Sequence, residues 1–168
     1  MRTRLETLNE MPVEKFVESV GWVFEHSPWV ALRAAVERPF ADAEALHAAM
    51  VRLVELASTE EQLALLRAHP DLGTRAKLSD ASATEQADAG LGHLTKQEFE
   101  LFTRLNESYA IRFGFPFLYA VKGSTKHDII RALGARLNAS REEEFAEALR
   151  QVYRIAAFRL EDYLRAEA

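Results

Sequence analysis

Repeated helix-start signals divide this chain into short amphipathic segments, and they limit its fold more than any other feature of the sequence. Four of the signals pair a serine or threonine with a glutamate or glutamine three residues later, which is the pattern of a capping box. They stand at positions 59–62, 82–85, 95–98 and 140–143. A fifth is Ser27-Pro28, which predicts an N-cap serine followed by a proline at the first helical position. The signals therefore predict a chain that is built mainly from helices.

Between these signals, apolar residues recur three and four positions apart, as they do on one face of a helix. The clearest stripe follows Asp42 and consists of Ala45, Leu46, Ala49, Met50, Leu53, Val54 and Ala57. Behind Ser27-Pro28, the same spacing predicts that Trp29, Leu32 and Val36 face the core. Positions 74–80 have no clear period and predict a loop.

Only positions 117–121 resemble a strand, and a single short run without a partner does not form a sheet. We interpret this run as a buried connector. The fold prediction is one all-α domain over residues 1–168, an irregular bundle of about eight helices with no sheet.

The composition excludes several classes of protein. The chain has 168 residues, no cysteine and a formal net charge of −5. The lack of cysteine excludes a disulfide scaffold, thiol catalysis and cysteine-ligated zinc. The negative charge argues against a general nucleic-acid binder, and no apolar run approaches the roughly 20 residues that a membrane span needs. We therefore expect a cytoplasmic protein that binds neither nucleic acid nor membrane.

Sequence motifs for metals and cofactors are not found. His26, His47, His93 and His127 lack the spacing of metal ligands such as HExxH or HxH. No phosphate loop, dinucleotide-binding Gly-x-Gly-x-x-Gly or Gly-x-Ser-x-Gly elbow occurs. The sequence therefore predicts neither a metal nor a cofactor.

His69 is the first candidate for chemistry. A helical run leads into it, and Pro70 prevents that helix from continuing. A helix C-terminus favours the imidazolium form, whereas apolar surroundings favour the neutral ring, so a role in proton transfer is physically available. The alternative is a C-capping histidine that only bonds the last carbonyls of the helix.

Arg159 is the second candidate. It falls roughly 40° from the centre of the apolar stripe on the last predicted helix, whereas Arg150, Arg154 and Arg165 point away from it. Because a buried arginine needs a partner, two interpretations stay open. One is a structural ion pair with a glutamate, and the other is a planar fork for a carboxylate or a ureide oxygen of a ligand.

Glu85 is the third candidate. It is the last residue of the signal at 82–85, so its simplest role is to bond the N-cap amide of a helix. Gln86 beside it adds a neutral donor and acceptor. The aromatic residues Tyr109, Phe115 and Phe117 are typical of a core, although aromatic side chains also line small-molecule pockets.

Seven short stretches occur in an order that is more specific than any one of them. They are Glu25-His26-Ser27-Pro28-Trp29-Val30, Arg38-Pro39-Phe40, Ala68-His69-Pro70-Asp71-Leu72-Gly73, Ser82-Ala83-Thr84-Glu85-Gln86 with Ala89-Gly90-Leu91, Asn106-Glu107-Ser108-Tyr109, Arg112-Phe113-Gly114-Phe115-Pro116-Phe117, and Arg159-Leu160. Together they closely resemble the 2-oxo-4-hydroxy-4-carboxy-5-ureidoimidazoline (OHCU) decarboxylases of uric acid breakdown, over nearly the whole chain.

The resemblance implies an all-α homodimeric enzyme that uses no cofactor and converts a small ureidoimidazoline to (S)-allantoin and carbon dioxide. The catalytic histidine, glutamate and arginine of the family correspond to His69, Glu85 and Arg159 here. The substrate-binding positions of the family correspond to Pro70, Ser82, Gln86, Phe115, Phe117 and Leu118. This chain departs from the usual family pattern at Arg112, where the family has lysine, and at 78–81, where it has a longer stretch with Glu and Thr.

Two functions of other kinds stay open at this point. One is a different cofactor-free enzyme acting on a ureide or hydantoin, such as a racemase or a hydrolase. The other is a catalytically silent all-α binding module.

Overall fold

The computed structural model describes residues 1–74 and 78–166, and every regular element in these ranges is a helix. The α-helices of this part of the chain are α1 (Arg4–Glu10), α2 (Val13–Val20), α3 (Trp29–Ala34), α4 (Ala43–Leu56), α5 (Thr59–Arg67), α6 (Asp80–Asp88), α7 (Lys96–Phe113), α8 (Lys126–Arg136) and α9 (Arg141–Arg165). Single 3-10 turns follow α2 and α3, at Gly21–Val23 and Ala35–Glu37. The all-α prediction is confirmed for the described residues. The helix that was not expected is α1, whose one buried side chain, Leu8, gives no periodic signal.

Capping hydrogen bonds fix where several helices begin. The Glu98 amide donates to Thr95 Oγ1 at 3.1 Å, and the Thr95 amide donates to Glu98 Oε1 at 2.9 Å, so the predicted box at 95–98 is confirmed. The box at 140–143 is confirmed by the same pair of bonds. The box predicted at 59–62 lies one residue earlier, because Ser58 is the N-cap of α5 and pairs with Glu61.

The chain divides into two compact units, Met1–Ala68 with Tyr153–Ala168 and His69–Val152. Helix α9 begins in the second unit and ends in the first. The single domain predicted for residues 1–168 stays a prediction.

In the first unit, α3 packs closely against α2 and α4 through small residues. Its buried side chains are Val30, Ala31 and Ala34, whereas Leu32 and Val36 are 54% and 83% exposed. The predicted core face of α3 was therefore wrong. Alanines carry little apolar surface but let helix backbones approach closely, so the larger side chains indicated the wrong face.

In the second unit, aromatic rings from α7 and the connector after it form the core. The Tyr109 ring lies 4.5 Å from Phe113 and 5.5 Å from Phe117, measured between centroids. The connector at 117–121 is not helical, and Phe117, Leu118, Ala120 and Val121 are buried. The prediction of a buried connector is confirmed.

The loop predicted at 74–80 includes residues 75–77, which lie outside the described residues, and α6 already begins at Asp80. No helix among the described residues has both the length and the apolar character that a membrane crossing requires.

Candidate active site

His69 begins the segment that follows α5. That helix ends at Arg67, and its C-cap is Ala68, whose amide donates to the Ala64 carbonyl at 3.0 Å. The histidine lies one residue beyond the cap, and it is only 8% exposed. Pro70 follows and fixes one backbone torsion of the segment. The buried imidazole of His69 is therefore attached to a backbone that has one free torsion fewer than an ordinary segment.

The carboxyl group of Asp71, two residues after His69, stays at the surface but is partly desolvated. Desolvation raises the pKa of Asp71 above its ordinary value. The next two residues, Leu72 and Gly73, are buried and form a turn in which Gly73 has φ 71°. Only glycine adopts this left-handed conformation without strain.

Two helices hold this turn through side-chain amides. The Gly73 N–H donates to Gln86 Oε1 of α6 at 3.1 Å, and Asn106 Nδ2 of α7 donates to the Leu72 carbonyl at 2.8 Å. All of these groups are buried, where hydrogen bonds are most costly to lose. The structure thus brings the His69-Pro70 segment together with α6, the helix that carries three further candidates.

On α6, Ser82, Glu85 and Gln86 share one face because they are three and four residues apart. Ser82 and Gln86 are buried and Glu85 is half-buried. The N-cap of α6 is Ser79, whose Oγ accepts the Ser82 amide at 3.2 Å. The capping role considered for Glu85 is therefore wrong. The helix begins a turn earlier than the motif at 82–85 indicated, because Ser79 supplies the cap and Asp80 suits the first turn.

The Gln86 side chain has a use that was not predicted. Its amide oxygen accepts the Gly73 amide, so at least this atom holds the turn after His69. The substrate-binding roles predicted for Pro70, Ser82 and Gln86 stay predictions.

The aromatic candidates are covered by protein. Phe115, Phe117 and Leu118 are all buried. The Phe115 ring packs against Phe145 of α9 with 5.9 Å between centroids. This packing fits the core interpretation of these side chains, and their predicted contact with substrate stays a prediction.

A buried polar network fixes the connector that carries Phe117 and Leu118. Arg136 Nη1 donates to the Leu118 carbonyl at 2.5 Å, and its guanidinium lies 4.5 Å from the centroid of the Phe117 ring. Arg136 also forms an ion pair with Glu144, which accepts the Tyr109 hydroxyl at 2.6 Å. Burial raises the pKa of Tyr109, the bond to Glu144 raises it further, and the charge of Arg136 opposes the shift. The phenol therefore stays protonated and acts as a donor.

Arg159 belongs to the first unit, where it has a buried partner. Its Nη2 lies 2.8 Å from Oε2 of Glu25, and its Nη1 donates to the Trp22 carbonyl at 3.3 Å. The prediction that Arg159 faces inward while Arg150, Arg154 and Arg165 face solvent is confirmed. The structural ion pair is confirmed as well, and the role of a fork for substrate stays a prediction.

Glu25 follows a 3-10 turn, and the next residue, His26, has a positive φ of 46°. Such a backbone conformation is strained for a residue other than glycine and tends to be kept near functional groups. The Ser27 hydroxyl donates to the Glu25 carbonyl at 2.9 Å and holds the same turn. Glu25, whose carboxylate pairs with Arg159, therefore lies in a turn that is fixed by a hydrogen bond of its own.

Sequence reasoning missed the roles of Glu25, Asn106 and Glu144. Glu25 was one of several glutamates that could pair with Arg159. Asn106 gave the clearest signal, because it is a polar residue within the apolar stripe of α7. Among the described residues, no three histidine or carboxylate side chains are grouped as metal ligands. The predictions of no metal and no cofactor stay predictions.

Comparison with known proteins identifies a family and several relatives that this chain resembles. Residues 9–161 match the protein family described as OHCU decarboxylase. The chain is 47% identical over 163 residues to the 2-oxo-4-hydroxy-4-carboxy-5-ureidoimidazoline decarboxylase of Haloferax volcanii, and the match covers 97% of both proteins. It is 50% identical over 160 residues to the uric acid degradation bifunctional protein PucL of Bacillus subtilis, which covers 95% of this chain.

The chain spans only 32% of the length of PucL, so its similarity concerns one part of that bifunctional protein. Its fold is similar to the crystal structure of (S)-allantoin synthase, with a TM-score of 0.79 and 34% identity. That match covers 95% of this chain and 54% of the synthase chain.

Proposed function

This chain belongs to the OHCU decarboxylase family, and from this premise we propose that it decarboxylates 2-oxo-4-hydroxy-4-carboxy-5-ureidoimidazoline to (S)-allantoin in uric acid degradation. One observation carries the proposal. The Haloferax volcanii protein with this name is 47% identical, and the match extends over 97% of each chain. Similarity over the whole length makes a shared reaction the simplest interpretation.

The substrate provides its own electron sink. Its carboxylate sits on a carbon that also bears a hydroxyl and adjoins a carbon–nitrogen double bond. When the carbon–carboxylate bond breaks, carbon dioxide leaves and the electron pair forms a carbon–carbon double bond. The π electrons of the carbon–nitrogen double bond move to nitrogen, which takes a proton and stays singly bonded to carbon. The resulting enol loses its hydroxyl proton and gains a proton at the ureido-bearing carbon. These reaction steps need no external electron sink.

The protein then has to hold an anion and to move protons at three positions, the nitrogen, the hydroxyl and the ureido-bearing carbon, the last of them stereospecifically. His69 suits the proton-transfer role, because its imidazole is buried and its backbone is fixed by Pro70 and by the turn at Leu72 and Gly73. A positioned general acid or base contributes about 10²–10⁴-fold to a rate.

Glu85 suits a polarising role, because α6 places it on the same face as Ser82 and Gln86 and its carboxylate is not needed for the helix cap. Arg159 suits the anchoring role. Glu25 and the Trp22 carbonyl fix the plane of its guanidinium, and a fixed planar fork is what bidentate recognition of an oxyanion or ureide needs.

The test uses freshly prepared urate oxidation product with and without the protein. Allantoin is quantified over time, and its optical activity is followed by circular dichroism. We expect faster formation of allantoin with an excess of the S enantiomer. Slow formation of racemic allantoin at the rate without protein would contradict the proposal.

Three further experiments test the alternative reactions, the absence of a metal or cofactor, and the homodimer. Incubation with (R)- or (S)-allantoin should give no change, whereas a racemase would abolish its optical activity and a hydrolase would consume it. Activity should survive exhaustive chelation and dialysis if no metal or cofactor takes part. The family resemblance also supports a homodimer, for which light scattering should give twice the mass of the 19.0 kDa chain.

A further inference from the structure

Asn106 is an unusual residue for its position. It lies within α7, an 18-residue helix, on the buried face that also carries Phe102, Tyr109 and Phe113. Asparagine is a poor helix former, and an apolar side chain would suit this face better. Asn106 is 6% exposed, so its amide must find partners inside the protein.

Only one half of this amide has a partner among the described residues. Nδ2 donates to the Leu72 carbonyl at 2.8 Å, whereas Oδ1 is buried and accepts no hydrogen bond from them. A buried acceptor without a donor is unfavourable, and it offsets part of what the bond to Leu72 contributes. The Asn106 amide therefore contributes little net free energy to folding, and its clear effect is to fix the Leu72 carbonyl.

That carbonyl lies close to the candidate histidine along a stiff piece of chain. Between His69 and Leu72, Pro70 has a fixed φ, which removes one of the backbone torsions that separate the imidazole from the held peptide group. The same peptide group is held at its other end as well, because the Gly73 N–H donates to Gln86 Oε1. The single peptide group between Leu72 and Gly73 is thus bonded to two different helices.

Packing holds the turn against the same helix. A Cβ on Gly73 would lie 3.3 Å from Cγ of Phe102, the residue one turn before Asn106 on α7. There is little space for the turn to move towards α7, and the bond from Asn106 prevents it from moving away. The face formed by Phe102 and Asn106 therefore sets the position of the turn from both directions.

We propose that Asn106 is a positioning residue, whose buried amide holds the Leu72 carbonyl and thereby sets the orientation of the His69 imidazole for proton transfer. This role rests on the proposed decarboxylase function of His69. Asn106 acts through the backbone of the turn and is assigned no contact with substrate.

The experiment compares Asn106→Asp and Asn106→Leu with the wild-type protein. Aspartate keeps the shape but, when ionised, cannot donate to the carbonyl, and leucine keeps the volume without any polar group. Asn9→Asp is the matched control. Asn9 Nδ2 also donates to a backbone carbonyl, that of Phe40, at 2.9 Å, but it lies in the first unit.

Two quantities are measured on folded protein. The first is the NMR signal of the His69 ring, assigned by its loss in His69→Asn. The second is the pair kcat and KM for the decarboxylation. We expect both Asn106 variants to shift the His69 ring signal and to lower kcat by about 10–10²-fold, since a small misplacement of a reacting group costs this much. KM should change less than kcat. Asn9→Asp should lower the melting temperature with no change in the ring signal or in kcat per folded molecule.

The outcomes separate the two proposals. A His69 ring signal that is unchanged in both Asn106 variants overturns the positioning role whatever the activity. A kcat that falls only in proportion to the unfolded fraction overturns it as well. If the wild-type protein has no decarboxylase activity, the proposed function fails, and the positioning proposal fails with it as far as catalysis is concerned. A ring signal that still shifts would then leave only the structural coupling between Asn106 and His69.

Discussion

Arg159 and Glu25 form an ion pair at 2.8 Å in which the two side chains are 4% and 2% exposed. Removing one partner of such a pair leaves an uncompensated charge inside the protein, whereas replacing both by apolar residues is often tolerated. The pair therefore has two separable effects, on stability and on the orientation of the guanidinium. Substitutions at either residue have to be judged on both.

Arg159→Ala should lower the free energy of unfolding by about 3–5 kcal/mol, because it strands the Glu25 carboxylate. Arg154→Ala is the control on the same helix. Its side chain is exposed, so the loss should not exceed about 0.5 kcal/mol. Urea unfolding measures both. The double variant Glu25→Met with Arg159→Met should be more stable than Arg159→Ala, and yet inactive. Equal stability of Arg159→Ala and Arg154→Ala would show that the pair contributes nothing to the fold.

His69→Asn should abolish decarboxylation and leave the fold intact. The ring lies beyond the C-cap of α5, and a ring near a helix end contributes at most about 1–2 kcal/mol to stability. Loss of a proton-transfer group costs far more in rate. His93→Asn is the control, because His93 is exposed in the same unit. Activity assays and thermal melts decide the outcome, and wild-type turnover by His69→Asn would remove the histidine from the mechanism.

Glu85→Gln should lower the rate and preserve stability. Ser79 caps α6, so the Glu85 carboxylate is not required to begin the helix. Asp88→Asn removes an exposed carboxylate from the same helix and should leave the rate unchanged. Ser79→Ala should instead cost about 0.5–2 kcal/mol of stability through loss of the cap. If Glu85→Gln lost stability to the same extent as Ser79→Ala, a structural role would explain its effect.

Gly73→Ala should destabilise the protein more than Gly123→Ala. Both glycines have positive φ, 71° and 81°, so each substitution incurs the left-handed strain of roughly 1–2 kcal/mol. Only at Gly73 would the added Cβ also meet neighbours, Cδ1 of Leu94 at 3.1 Å and Cγ of Phe102 at 3.3 Å. The difference between the two melting temperatures measures this crowding. Gly73→Ala should also lower activity, since the turn follows His69. Equal melting temperatures would show that the turn has room to relax.

Glu98 should contribute a pH-dependent part of the stability. A hydrogen bond from Lys126 and another from the Thr95 amide lower its pKa from the ordinary 4.5 to about 2. Because the folded pKa lies below the unfolded one, this stabilisation is present above about pH 4.5 and is lost as the pH falls towards 2. Carboxyl NMR titration should show the pKa of Glu98 rising in Lys126→Met but not in Lys96→Met, where the lysine is exposed. An unchanged midpoint in Lys126→Met would contradict the ion pair.

Several features of this protein were determined by the sequence alone. The caps at Thr95 and Ser140, the inward direction of Arg159 and the buried connector at 117–121 all agree with the structure. The caps and the direction of Arg159 depend on neighbours along the same helix, where capping bonds and the 3.6-residue period act. The connector depends on a short apolar run that has no partner strand. The reaction class also came from the sequence, through an ordered set of short stretches.

The tertiary structure decided which partners these residues have. It selected Glu25 for Arg159, set the exposed face of α3 and joined Asn106 to the Leu72 carbonyl. It also placed the cap of α6 at Ser79, three residues before Ser82, which the motif at 82–85 indicated as the N-cap. A side chain records its preference for burial and for a charged or polar partner, but many residues along the chain can satisfy that preference. The packing of helices that are distant in sequence leaves only one of them within hydrogen-bonding distance.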